Sequence, residues 1–143
     1  MDLQIQQREV EGIVILDLKG RLALGESEAL LRKTITTLAE AGEVNVVLNC
    51  ADVDEIDEDG VGFLLVCSTR LRGAGGALKL MNLSREKLDP VLLARLEGDF
   101  DASTDEVSAI NSFFPERAVP SFDVLEYARR QNAEYTARQK RGG

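Results

Sequence analysis

The 143 residues contain no histidine and no tryptophan, and only three prolines, two cysteines and 5% aromatic residues. Without histidine the chain lacks the commonest general base and the commonest metal ligand, which removes much of enzyme chemistry from consideration. Cys50 and Cys67 are too far apart for a Cys-x-x-Cys redox or zinc pair, and each lies among apolar residues, so both read as buried, reduced thiols. No run approaches the ~20 apolar residues that cross a bilayer, and the start Met1-Asp2-Leu3-Gln4-Ile5 lacks the basic and apolar regions of a signal peptide. A cytoplasmic chain with no membrane insertion is expected. Cation clusters are scarce too: the formal charge is −8, which works against phosphate backbones, so no direct nucleic-acid binding is expected.

What is present is an ordinary globular composition, 44% hydrophobic and 29% charged, at single-domain length with material left for an appendage. Leu3 and Ile5 alternate with glutamines, and Ile13 to Leu18 follows the break at Glu11-Gly12, which predicts an antiparallel hairpin. Glu26 to Ala41 places Leu31, Ile35 and Leu38 at helical spacing, with Gly42 at the expected C-terminal cap. Val44, Val46, Val47 and Leu48 predict the central strand. A second helix is predicted from about Asp59, with Val61, Leu64, Leu65 and Leu71 inward and an end at Gly73, Gly75 and Gly76. Leu78, Leu80 and Leu83 continue as a strand.

Asp89-Pro90 predicts a cap and first helical residue leading into Val91 to Leu96. Gly98 to Ala102 offers a brief strand, and Ser103-Thr104-Asp105-Glu106 a capping box for a fourth helix through Val107, Ile110 and Phe114, ended by Pro115. The expectation is an α/β domain over 1–114, with a mixed sheet of about five strands, an opening hairpin followed by parallel strands, and about four helices. Residues 115–143 are expected to form a C-terminal extension, helical over about 121–138, with a basic tail through Arg138, Lys140 and Arg141.

The densest polar signal is Asp52-Val53-Asp54-Glu55-Ile56-Asp57-Glu58-Asp59-Gly60-Val61-Gly62, read as a loop holding six carboxylates between the central strand and the second helix. Strand carboxyl ends followed by helix N-termini are where α/β sheets build sites, because free N–H groups and the helix dipole are presented there. The plainer reading makes Asp59 the helix cap and leaves Asp54 and Glu55 as solvated charges. Glu55, Asp57, Asp59 and Gly60 fit the start of a calcium loop, but its twelfth position is Val66, so no metal site is expected. Gly73-Ala74-Gly75-Gly76 follows a helix instead of a strand and reads as a turn, not a phosphate cradle. Ser68 and Thr69 have no histidine to activate them, and no catalytic residue or cofactor is expected.

Four pieces resemble one family in order: Gly20-Arg21-Leu22, the strand Val44 to Asn49, the turn Ile56 to Gly62, and Gly75 to Leu83. Over roughly residues 3 to 114 the chain resembles anti-sigma factor antagonists, the STAS family. The resemblance implies a non-enzymatic regulatory module in partner switching, bound by a serine-kinase-type anti-sigma factor through Asp57, Glu58, Asp59, Gly60, Val61 and Gly62 and the adjacent face of the second helix. A homo-oligomer is compatible with it. In that family the serine after the turn's aspartate is phosphorylated, and phosphate cancels binding. Here that position is Glu58, which cannot accept a phosphoryl group. Two readings of Glu58 stay open: a locked phosphate mimic, or a site lost to solvent. The resemblance also admits a scaffold or accessory subunit of a stress-signalling assembly or a transporter ATPase.

Overall fold

The computed structural model describes residues 2–117, so the helix expected over 121–138 and the basic tail lie outside the described residues. Strand β1 (Gln4–Val10) folds back on β2 (Ile13–Leu22) antiparallel, with Val10 opposite Ile13 across the Glu11-Gly12 turn. Both strands run beyond the apolar alternation that announced them, because polar positions such as Gln6 and Lys19 continue the ladder on its exposed side.

Helix α1 (Glu26–Glu40) buries Leu31, Ile35 and Leu38 at the expected spacing. Gly42, at φ 82°, ends it: its N–H donates to the Ala39 carbonyl while the Glu43 N–H donates to the Leu38 carbonyl at 2.9 Å. These two bonds satisfy carbonyls that the helix leaves over, and they require a left-handed residue at the turn.

Strand β3 (Asn45–Ile56) corrects the expected boundary. It is twelve residues long and carries Asp52, Asp54 and Glu55, for which the sequence predicts a loop. The strand survives its charges because β2 also continues past Gly20, so that Lys19 pairs with Asp52, Arg21 with Glu55 and Leu22 with Ile56. Val53 and Ile56 still point into the core while the carboxylates face water. Helix α2 (Glu58–Gly73) follows directly and ends at Gly75 and Gly76 with the same pair of bonds as α1.

Strand β4 (Ala77–Met81), helix α3 (Pro90–Asp99), strand β5 (Ala102–Ser103) and helix α4 (Glu106–Asn111) follow. Asp89 caps α3 as expected, accepting from the N–H groups of Val91 and Leu92 at 2.9 and 3.2 Å. The α4 cap is Asp105 instead of Ser103, accepting from Ser108 N at 2.7 Å, and Val107 is 70% exposed. Helix α4 stops at Asn111, short of Phe114. A second compact unit begins at Asn111. Within it residues 115–117 are helical, so Pro115 opens a helical turn, where its missing N–H costs nothing.

The five strands lie in the order β1-β2-β3-β4-β5, antiparallel at the first pair and parallel at the other three, with β3 in the centre. Helices α1 and α2 pack on each other and on β2 to β4, closing a core of Leu16, Leu48, Leu64, Leu71, Leu80 and their neighbours. On the sheet's other face Ile15 and Val47 pair and are fully buried. Beside them a polar chain crosses the strands: Arg8 donates to Asp17 at 2.7 Å and to Glu106 at 2.5 Å, Asn49 donates to Asp17 at 2.8 Å, and Asn82 donates to Asn49 at 3.0 Å.

Candidate functional site

The turn between β3 and α2 lies at the carboxyl end of the central strand and is fixed from below by β2. The Asp57 N–H donates to the Leu22 carbonyl at 3.2 Å, which ties the start of α2 to the last pair of the β2–β3 ladder. Asp57, not Asp59, is the cap: its Oδ1 accepts from Gly60 N at 2.7 Å. That bond satisfies one of the free donors at the helix start.

The six residues of the turn divide by direction. Glu58, Asp59 and Gly62 are exposed and Asp57 is half-buried, whereas Gly60 and Val61 are buried. A Cβ at Gly60 would stand 2.3 Å from the Leu22 carbonyl oxygen, so only glycine lets the helix approach β2 this closely. Val61 belongs to the hydrophobic core. Gly60 and Val61 therefore hold the turn, and the face presented to solvent is Glu58, Asp59 and Gly62.

The acidic stretch is less uniformly negative than its sequence suggests. Arg21 Nε meets Glu55 Oε1 at 2.7 Å, and Lys87 Nζ meets Asp54 Oδ1 at 3.4 Å. Lys87 comes from the segment before α3, which together with Leu88, Asp89 and Leu92 forms the far wall of a groove of about 450 Å³ against Asp54 and Asp57. Sequence reading missed this wall, because about thirty residues separate it from the turn; its one legible trace was the Asp89-Pro90 cap signal. Among the described residues, no group of three or more Cys, Asp or Glu side chains is arranged to hold a metal ion. The would-be calcium ligands are dispersed: Glu55 lies on a strand, Asp57 caps, and Asp59 is in the helix.

Beyond the turn, α2 continues its exposed face through Val66 (62% exposed), Thr69, Arg70 and Arg72. Ser68 is buried and receives a hydrogen bond from Arg72 at 3.4 Å, while the Thr69 hydroxyl donates to the Leu65 carbonyl, so both serve the helix itself. Cys50 and Cys67 are free and buried, and burial pushes their thiols up to about 12 and about 11 respectively. Among the described residues no helix is long and apolar enough to cross a membrane.

An opening antiparallel pair, three parallel steps and helices packed on one face, with a capped turn at the end of the central strand, agree with a family model for the STAS domain that matches residues 4–109. The chain belongs to the STAS domain family. Solved structures share the fold. An anti-sigma factor antagonist from Thermotoga maritima superposes with a TM-score of 0.66 at 22% identity, covering 76% of this chain and 92% of its own. One from Mycobacterium paratuberculosis gives 0.62 at 14% identity, covering 77% and 92%. The Bacillus cell-fate determinant SpoIIAA in its phosphorylated form gives 0.57 at 21% identity, covering 77% and 99%. No curated protein matches the sequence. The resemblance that the turn and its flanking strands suggested is thus the family, and the five-stranded mixed sheet is the expected STAS architecture.

Proposed function

We propose that this STAS domain is a non-enzymatic regulatory module that docks on a kinase-like anti-sigma factor through the N-terminal end of α2 and the exposed face of that helix, and that it cannot be phosphorylated at the turn. The observation that carries this reading is the place of Glu58: it is exposed at the first helical position, immediately after the Asp57 cap, where the family resemblance puts the phosphorylated serine. A carboxylate there has no hydroxyl to receive a phosphoryl group. It carries about one negative charge against about −1.5 to −2 for phosphoserine, and fewer acceptor oxygens, so it imitates phosphate only in part.

The chemistry of the surroundings supports recognition more than reaction. Exposed Glu58 and Asp59 steer a basic patch toward the turn, and the helix N-terminus offers backbone donors beside them. Gly62 leaves open space one turn further along, where a partner side chain can approach the backbone. No lysine or arginine of the turn is available to stabilise a developing anion, and the two cations nearby are engaged with Glu55 and Asp54.

The test is Glu58→Ser, offered with ATP to the cognate serine kinase. The expected result is phosphorylation of the new serine and, with it, weaker binding to the kinase. A variant neither phosphorylated nor changed in partner affinity would show that the turn is not the regulated site.

A further inference from the structure

The exposed face of α2 is complementary to itself. At 3.6 residues per turn, Glu58, Asp59, Gly62, Val66, Thr69, Arg70 and Arg72 fall on one stripe, within about 80° either side of Gly62. The stripe begins with two carboxylates, carries only Gly62, Val66 and Thr69 in the middle, and ends with two guanidinium groups. Leu65, Val66, Thr69 and Arg70 line a shallow depression of about 410 Å³ in its middle. Among the described residues, none of Glu58, Asp59, Arg70 and Arg72 takes part in an ion pair. The charges at both ends thus have no opposite charge among the described residues, Arg72 donating only to the Ser68 hydroxyl at 3.4 Å, and Val66 is one of the few large apolar side chains left in solvent.

We infer that this face pairs with the same face of a second copy of the chain, the two α2 helices running antiparallel about a two-fold axis near Leu65. Such an axis keeps each side chain on its own lateral side while reversing its position along the helix. Asp59 then meets Arg70 of the copy, Glu58 meets Arg72, and Val66 seats over Gly62, where an added Cβ would touch nothing in the monomer. The interface is isologous, as a closed dimer requires, and antiparallel helices also oppose their dipoles favourably. A 16-residue helix is only about 24 Å long, so the buried area falls below the ~1,600 Å² of a standard stable interface, and the dimer is weak and concentration-dependent. A copy and a protein partner cannot occupy the face together, so a partner would draw on the monomer. The pairing itself does not depend on the partner proposed above.

Sedimentation velocity of the full chain over a concentration series tests this without any partner. The wild-type mass is expected to rise toward twice the monomer mass, and less so at high salt. Glu58→Arg/Asp59→Arg and Arg70→Glu/Arg72→Glu should each stay monomeric at concentrations where wild type dimerises, a loss of at least tenfold in affinity. An equimolar mixture of the two should associate again, because every facing pair is then opposite in sign. Val66→Asp leaves the helix ends untouched and should also be monomeric; circular dichroism verifies that each variant is folded. Wild type that remains monomeric throughout overturns the inference, as does a dimer that persists in both charge variants or a mixture that fails to associate.

Discussion

Gly60 and Gly62 stand two positions apart on one helix and have opposite surroundings. At Gly60 any side chain collides with the Leu22 carbonyl, so Gly60→Ala is expected to destabilise the fold by about 1–3 kcal/mol, since backbone must shift to admit the methyl group. At Gly62 nothing lies within 4 Å, so Gly62→Ala is expected to stabilise the chain by about 0.5–1 kcal/mol through helix propensity alone. Urea denaturation of the two variants reads the contrast, and a loss at both positions would mean that the Gly62 face is covered. Asp17 provides a pH signature. The Arg8 guanidinium hydrogen-bonded to it holds its carboxyl below the usual carboxylate range, with Asn49 helping against partial desolvation. A depressed folded value means stability that is present above the unfolded value of about 3.9 and is lost as pH falls through the lower folded one. Asp17→Asn should therefore cost stability at neutral pH and flatten the acid limb of the stability curve below about pH 4. An unchanged limb would leave no role for the Arg8–Asp17 pair. Asp17 and Arg8 are nine residues apart in sequence. Nothing in that spacing announced them; the hairpin register did.

At the scale of elements, two helix ends were legible from neighbouring residues alone. Gly42 and the Asp89-Pro90 pair marked their boundaries correctly because capping is local chemistry, settled within a few residues. Gly42→Ala is expected to cost about 1–2 kcal/mol, because alanine at φ 82° strains the backbone even where its methyl group has room. Comparing its thermal midpoint with that of Gly62→Ala separates backbone strain from helix propensity. The extent of β3 was not legible. Asp52, Asp54 and Glu55 are residues that strands avoid, and only the matching continuation of β2 through Arg21 and Leu22 makes a strand of them. The same pairing sets Asp57 as the cap, one register step before α2, where spacing alone suggested Asp59.

For the molecule as a whole, the core beneath α1 and α2 encloses both cysteines. With their thiols buried and pushed far above the ordinary range, neither should react with a thiol reagent at neutral pH while the fold is intact, and both should react after denaturation. Rapid labelling of native protein would show that the α1–α2 layer opens easily. The sequence alone determined the class of fold, the order of elements and the family, because apolar periodicity, caps and short motifs are written in neighbouring residues. Which residues of the acidic stretch face outward was decided only by the tertiary structure. Leu22 holds the turn from a strand more than thirty residues earlier, and that distant carbonyl turns Gly60 and Val61 inward and leaves Glu58, Asp59 and Gly62 at the surface.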